Sequence, residues 1–142
     1  MKRVYFLALM LVVLVTGLTA IQVEGQTVAA LATSRAQDFV GTWKGQCIGC
    51  NAGDFILELR TLPVEPFITG TIKVLDAPPN YGDHEKPIKE VRVDGQKLYF
   101  ESKQEGSRTT FYVTVTLSED GRMLKGIGVF KSNFNLKFKR VS

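Results

Sequence analysis

"TTFYVTVTLSEDGRMLKGIGVFKSNFNLKFKRV", residues 109–141, decides the architecture. Successive residues of a strand point to opposite faces, and Phe111, Val113, Val115 and Leu117 share one face against Thr110, Tyr112, Thr114 and Thr116. Asp120-Gly121 comes next, a pair that supplies the positive φ a hairpin turn needs. In the following run Leu124, Gly126, Gly128 and Phe130 take the inward parity, with Ile127 and Val129 competing for it. Lys131-Ser132-Asn133 makes a second short polar turn. Beyond it Phe134, Leu136 and Phe138 face in, while Lys137 and Lys139 face out. Three strands joined by two tight turns form an antiparallel meander.

The same pattern extends upstream as far as Phe39, with no stretch of helical periodicity. Eight strand-like runs are expected, over 40–47, 55–61, 67–75, 88–93, 97–102, 109–117, 124–131 and 134–141. Parity turns Phe55, Leu57 and Leu59 inward, then Ile68, Gly70, Ile72 and Val74, then Val91 with Val93 and Leu98 with Phe100. Asp94-Gly95 marks another hairpin. The longest connection, "DAPPNYGDHEK" at 76–86, holds two prolines and Gly82 and reads as neither strand nor helix. Eight hairpin-linked strands can close on themselves and so remove both sheet edges. The expected fold is all-β: an eight-stranded antiparallel up-and-down β-barrel with an almost wholly apolar interior.

The N-terminus obeys a different rule. Lys2 and Arg3 precede an apolar stretch from Val4 to about Leu18, and small residues appear at Ala20 and Gly25. That order is a secretory signal peptide, expected over 1–25, with cleavage after Ala20 or Gly25. A retained anchor needs ~20 predominantly apolar residues, and Thr16, Gly17, Thr19 and Gln22 interrupt this one. The protein is therefore expected to be secreted or periplasmic, with no membrane span after cleavage. Residues 26–38 are expected to be a linker or one short helical turn, and 39–142 the barrel domain. One domain is what this length supports. The formal net charge of the whole chain is only +4, too mild to indicate a nucleic-acid partner. The charge is nonetheless uneven, since residues 121–142 carry Arg122, Lys125, Lys131, Lys137, Lys139 and Arg140 and no acid.

Cys47 and Cys50 are the only two cysteines. A redox-active Cys-x-x-Cys sits at a helix N-terminus, where the dipole stabilises the thiolate, but this one lies between two strand-like runs and is followed by turn residues. A zinc site takes four ligands as a rule, and His84, far along the chain, is the single histidine. Outside the cytoplasm neighbouring thiols are oxidised, so a structural disulfide is expected.

Gly41-Thr42-Trp43 on the first strand resembles the short signature of the calycin group, which includes lipocalins and avidins. In those barrels the Trp plugs one end and a basic side chain of the last strand lies over it. The resemblance implies that role for Trp43, and parity with Phe134, Leu136 and Phe138 makes Arg140 the partner. An Arg over an indole gains ~0.5–2 kcal/mol. Thr69-Gly70-Thr71, Asp94-Gly95, Leu124-Lys125-Gly126 and Arg140 are also similar to small exported bacterial β-barrel modules, some of them fused ahead of α/β-hydrolase domains. That likeness spans residues 39–141 and implies fold rather than chemistry. The chain departs from it in the Cys47/Cys50 insertion and in lacking a second Trp on the seventh strand. Avidin-like sites stack their ligand between several tryptophans, so a chain with one Trp is not expected to hold biotin.

No Gly-x-Ser-x-Gly elbow, phosphate-cradling loop or His-Glu-x-x-His helix occurs. Asp83-His84-Glu85 sets two carboxylates beside the imidazole, but adjacent residues in an extended loop diverge, and catalysis needs convergent geometry. No catalytic residue, metal or cofactor is expected. The expected function is a non-catalytic binding module holding a small hydrophobic ligand. Its candidate lining is Phe55, Leu57, Ile72, Val74, Phe100, Phe111, Val113 and Phe138. The alternative is a protein-interaction or inhibitor module that acts through its loops and basic last strands on an extracytoplasmic enzyme.

Overall fold

The computed structural model describes residues 35–49, 53–75, 85–103 and 109–142. The expected signal segment, Cys50 and the Asp83-His84 pair lie outside these residues. Within the compact unit Arg35–Ser142, eight strands appear in the expected order. They are β1 Gly41–Ile48, β2 Phe55–Thr61, β3 Ile68–Val74, β4 Glu85–Asp94, β5 Lys97–Lys103, β6 Thr110–Leu117, β7 Met123–Val129 and β8 Asn133–Arg140. Each pairs antiparallel with its sequence neighbours, and β1 pairs with β8 from Trp43↔Arg140 to Ile48↔Asn135, so the sheet closes into an up-and-down barrel.

Alternation decides what lies inside. Trp43 on β1, Leu57 and Leu59 on β2, Ile68 and Ile72 on β3, and Leu98 and Phe100 on β5 are buried, as are Val113 and Val115 on β6, Leu124 on β7, and Leu136 and Phe138 on β8. At the Asp94-Gly95 hairpin the ladder runs one residue further than the dipeptide suggests. Asp94 pairs with Lys97, and Gly95 and Gln96 make the turn, with Gly95 at a φ of 59°.

Two expectations need correction. β4 begins at Glu85, three residues before the expected run and partly within the loop assigned to 76–86. Pro87 is tolerated there because the β4–β5 ladder starts only at Ile88, and at Pro87 the strand pairs with β3 through Thr71. Phe130 does not face in: β7 ends at Val129, and Phe130 is 39% exposed beside the turn to β8. The competition on β7 resolves in favour of Leu124, Gly126 and Gly128, leaving Ile127 and Val129 on the outer wall.

A β-bulge on β4 explains one further departure from simple alternation. Ile88 is buried, yet three residues later Val91 also packs against the core. The register shifts between Lys89 and Arg92, where Glu90 adopts a φ of 48°. An extra residue there swaps the faces, so Val91 and Val93 turn inward as parity within their own short run predicts.

Candidate functional site

The two ends of the barrel are built differently. At one end lie the start of β1, the end of β8 and the β2–β3, β4–β5 and β6–β7 connections. Here Trp43 is fully buried, and its indole Nε1 donates to the Phe39 carbonyl at 2.9 Å. The guanidinium carbon of Arg140 sits 4.3 Å from the Trp43 ring centroid, as the resemblance implied. Its N–H groups also donate to the carbonyls of Gly121 and Val40, each at 2.9 Å, and of Asp38. One side chain of β8 thus ties together the β6–β7 turn, the segment leading into β1 and the indole face.

That leading segment is part of the seal. Residues 35–37 form a helical turn, and Ala36 and Phe39 are each 1% exposed. Of residues 26–38, those from Arg35 on are described, and the rest of that expected segment lies outside the described residues. The only sequence hint was an apolar Phe39 four residues ahead of Trp43. The C-terminus completes the end, with Thr42 N–H donating to Ser142 O at 3.0 Å and Val141 N–H to Thr42 O at 2.8 Å.

At the opposite end the apolar interior is only partly covered. Cys47, Val74, Phe111 and Phe134 pack against the core yet stay half-buried. Phe111 and Phe134 stack with centroids 5.5 Å apart and planes within 3°. They cross over Gly128, where a Cβ would run into the Phe134 ring. Of the eight expected lining residues, Phe55, Leu57, Ile72, Phe100, Val113 and Phe138 are buried in the core. Val74 and Phe111 stand at the rim. Cys47 lies at this end of β1, while its expected partner Cys50 falls outside the described residues.

Two polar residues on the inward face escaped the sequence reading. Ser102 is 6% exposed and is the buried polar residue of the described chain. Lys86 is paired with the buried Ile72 and shares the face of Ile88. Continuing the parity of Leu98 and Phe100 by two residues would have found Ser102. The β4 bulge hid Lys86.

The outer wall over β1, β8 and β7 has its own character. Lys44 stands opposite Lys139, and Lys137 opposite Lys125. Lys44 also meets Asp54 at 3.2 Å. Towards the open end of the same wall Tyr112, Ile127 and Val129 are exposed, Tyr112 opposite Val129.

Among the described residues no three His, Cys, Asp or Glu side chains gather as a metal site would require, and no helix is long and apolar enough to cross a membrane. Comparison with models of known protein families gives no match, and comparison with curated proteins gives none either. The architecture is a closed eight-stranded antiparallel barrel, compatible with a calycin-like one.

Proposed function

We propose that this chain is an exported, non-catalytic binding module of the calycin-like kind, which takes a small hydrophobic ligand at the open end of its barrel. The observation that carries the reading is the asymmetry between the ends. Trp43, Phe39 and Arg140 seal one end, while Val74, Phe111 and Phe134 leave apolar surface partly uncovered at the other. Apolar surface removed from water is stabilised by ~25 cal/mol per Å², so a ligand seated on this rim gains affinity without any chemistry. A barrel of eight strands lies near the width at which side chains fill the interior or one ligand is accommodated. The buried members of the expected lining form the floor in this reading, and the rim residues make first contact. Secretion or periplasmic placement follows from the N-terminal signal pattern.

The test is mass spectrometry of organic extracts from natively purified protein, together with titration of an environment-sensitive dye. A co-purifying apolar compound, or dye emission that shifts to the blue and is reversed by a hydrophobic competitor, is the expected result. Repeated absence of both overturns the reading.

A second reading, contact with an acidic extracytoplasmic protein through the outer wall, is supported by the two opposed lysine pairs beside exposed Ile127 and Val129. Charge reversal at Lys125 and Lys137 would abolish such contact and leave dye binding intact.

A further inference from the structure

Four adjacent strands, β6, β7, β8 and β1, share an outer wall to which none of them contributes a carboxylate. The exposed side chains of this wall are sorted along the strands rather than mixed. Toward the open end stand Ile48, Tyr112, Ile127 and Val129, between 37% and 56% exposed. They adjoin one another, since Tyr112 lies opposite Val129 and Asn135 lies opposite both Ile127 and Ile48. Behind them, toward the sealed end, Lys125 and Lys137 face each other. Two residues of strand, about 7 Å, separate Lys125 from Ile127. Lys139 follows opposite Lys44, and Lys131 is exposed at the β7–β8 turn.

Neither half of this arrangement serves the fold. The apolar side chains lie outside the core, and lysines set directly opposite one another are destabilising. The acids that border the wall are Asp54, Glu58 opposite Thr42, and Glu101 opposite Tyr112. Asp54 is taken by Lys44 at 3.2 Å, and Lys125, Lys131, Lys137 and Lys139 have no carboxylate partner among the described residues. Adjoining exposed apolar residues rimmed by charge mark a surface that meets something else.

An acidic protein and an anionic bilayer both match the charge, and composition separates them. Protein interfaces are enriched in arginine and depleted in lysine, whereas the unpaired cations of this wall are all lysine. Lysine presents a point charge on a stem that covers apolar surface while its head stays in water. A surface lying in a membrane interface needs apolar side chains at the acyl boundary and cations at the level of the phosphates. The order along β7 and β8 supplies both. We propose that the outer wall of β6, β7, β8 and β1 docks on an anionic lipid bilayer. Tyr112, Ile127 and Val129 enter the head-group region, and Lys125, Lys131 and Lys137 lie against lipid phosphates. This contact uses the outside of the barrel and holds whether or not the interior takes a ligand.

Co-sedimentation of the exported protein with phosphatidylcholine vesicles, pure or mixed equally with phosphatidylglycerol, tests the proposal. Binding to the mixed vesicles is expected to be at least tenfold stronger and to weaken as NaCl is raised. Lys125→Gln with Lys137→Gln should lower that binding about tenfold or more, and Lys125→Arg with Lys137→Arg should keep it. Ile127→Ser with Val129→Thr should weaken it several-fold with little change in Tm, since both side chains are exposed. Tyr112→Trp reports position: its added emission should shift to the blue on mixed vesicles. Wild-type Trp43, buried at the sealed end, should show no shift. Equal binding to both vesicles, no binding to either, or an unshifted Tyr112→Trp emission overturns the proposal. Capture of an acidic protein by this wall without vesicle binding assigns the wall to that partner and overturns it as well.

Discussion

The guanidinium of Arg140 is matched by carbonyl dipoles, with its donors ending on Asp38, Val40 and Gly121 and its plane near the Trp43 ring. Hydrogen bonds to a charged group contribute more than neutral ones, so Arg140→Ala is expected to cost about 3 kcal/mol, well beyond the cation–π share alone. Trp43→Ala opens a void in a fully buried site and should cost roughly 3–5 kcal/mol. Urea denaturation of both variants checks the order, and native Trp43 fluorescence should be blue-shifted and resistant to quenchers. A smaller single residue controls the β6–β7 turn. Asp120 Oδ1 accepts from the Ser118 hydroxyl at 2.6 Å and from the Arg122 N–H at 3.1 Å. The Ser118 bond, then the Arg122 backbone bond, holds the Asp120 carboxyl below its ordinary range. A folded-state value below the unfolded one means stability that is present above the unfolded pKa and lost as pH falls through the folded one. Asp120→Asn should therefore flatten the acid end of the stability profile, read by thermal melts between pH 2 and 5.

Individual strands show where local pattern and pairing disagree. On β7 and β8 the outward residues bring Lys125 opposite Lys137, and like charges directly opposite are destabilising by a few tenths of a kcal/mol upward. Lys137→Thr is expected to stabilise the fold by about 0.2–1 kcal/mol at low ionic strength, with the gain shrinking as salt screens the pair. Melting curves at low and high NaCl check both halves. The connection from β1 to β2 carries the expected Cys47–Cys50 bond. So short a ring removes little entropy from the unfolded chain, so the double Ser variant should fold and lose only modest stability. Thiol titration of protein exported under oxidising conditions should find no free thiols, and two would refute the bond. β4 illustrates the opposite situation, in which pairing overrules pattern. Its bulge at Glu90 is invisible in the alternation of 88–93, because an unpaired residue shifts parity without altering composition.

At the scale of the whole molecule the β1–β8 ladder closes the sheet into a barrel, with β3 and β4 joined over Thr71–Lys73 and Glu85–Pro87. Terminal strands usually fray, but here amide protons of Gln46 and Lys137 on the closing ladder should exchange as slowly as those of β5 and β6. Markedly faster exchange confined to β1 and β8 would show that the barrel opens along this seam. The sequence alone determined the eight strands, their order and most of the inner face, since alternation and glycine turns are properties of a few adjacent residues. Trp43 and Arg140 were also recognisable, from a short motif and parity. The three carbonyls that Arg140 gathers were not, because Asp38, Val40 and Gly121 are distant in the chain and only closure brings them together. The same holds for Phe39 sealing one end and for Phe130 turning outward. Ser102 and Lys86 became neighbours through the register of β4 against β5. A bulge set that register, and a bulge is chosen by the energy of the closed sheet rather than by any one strand.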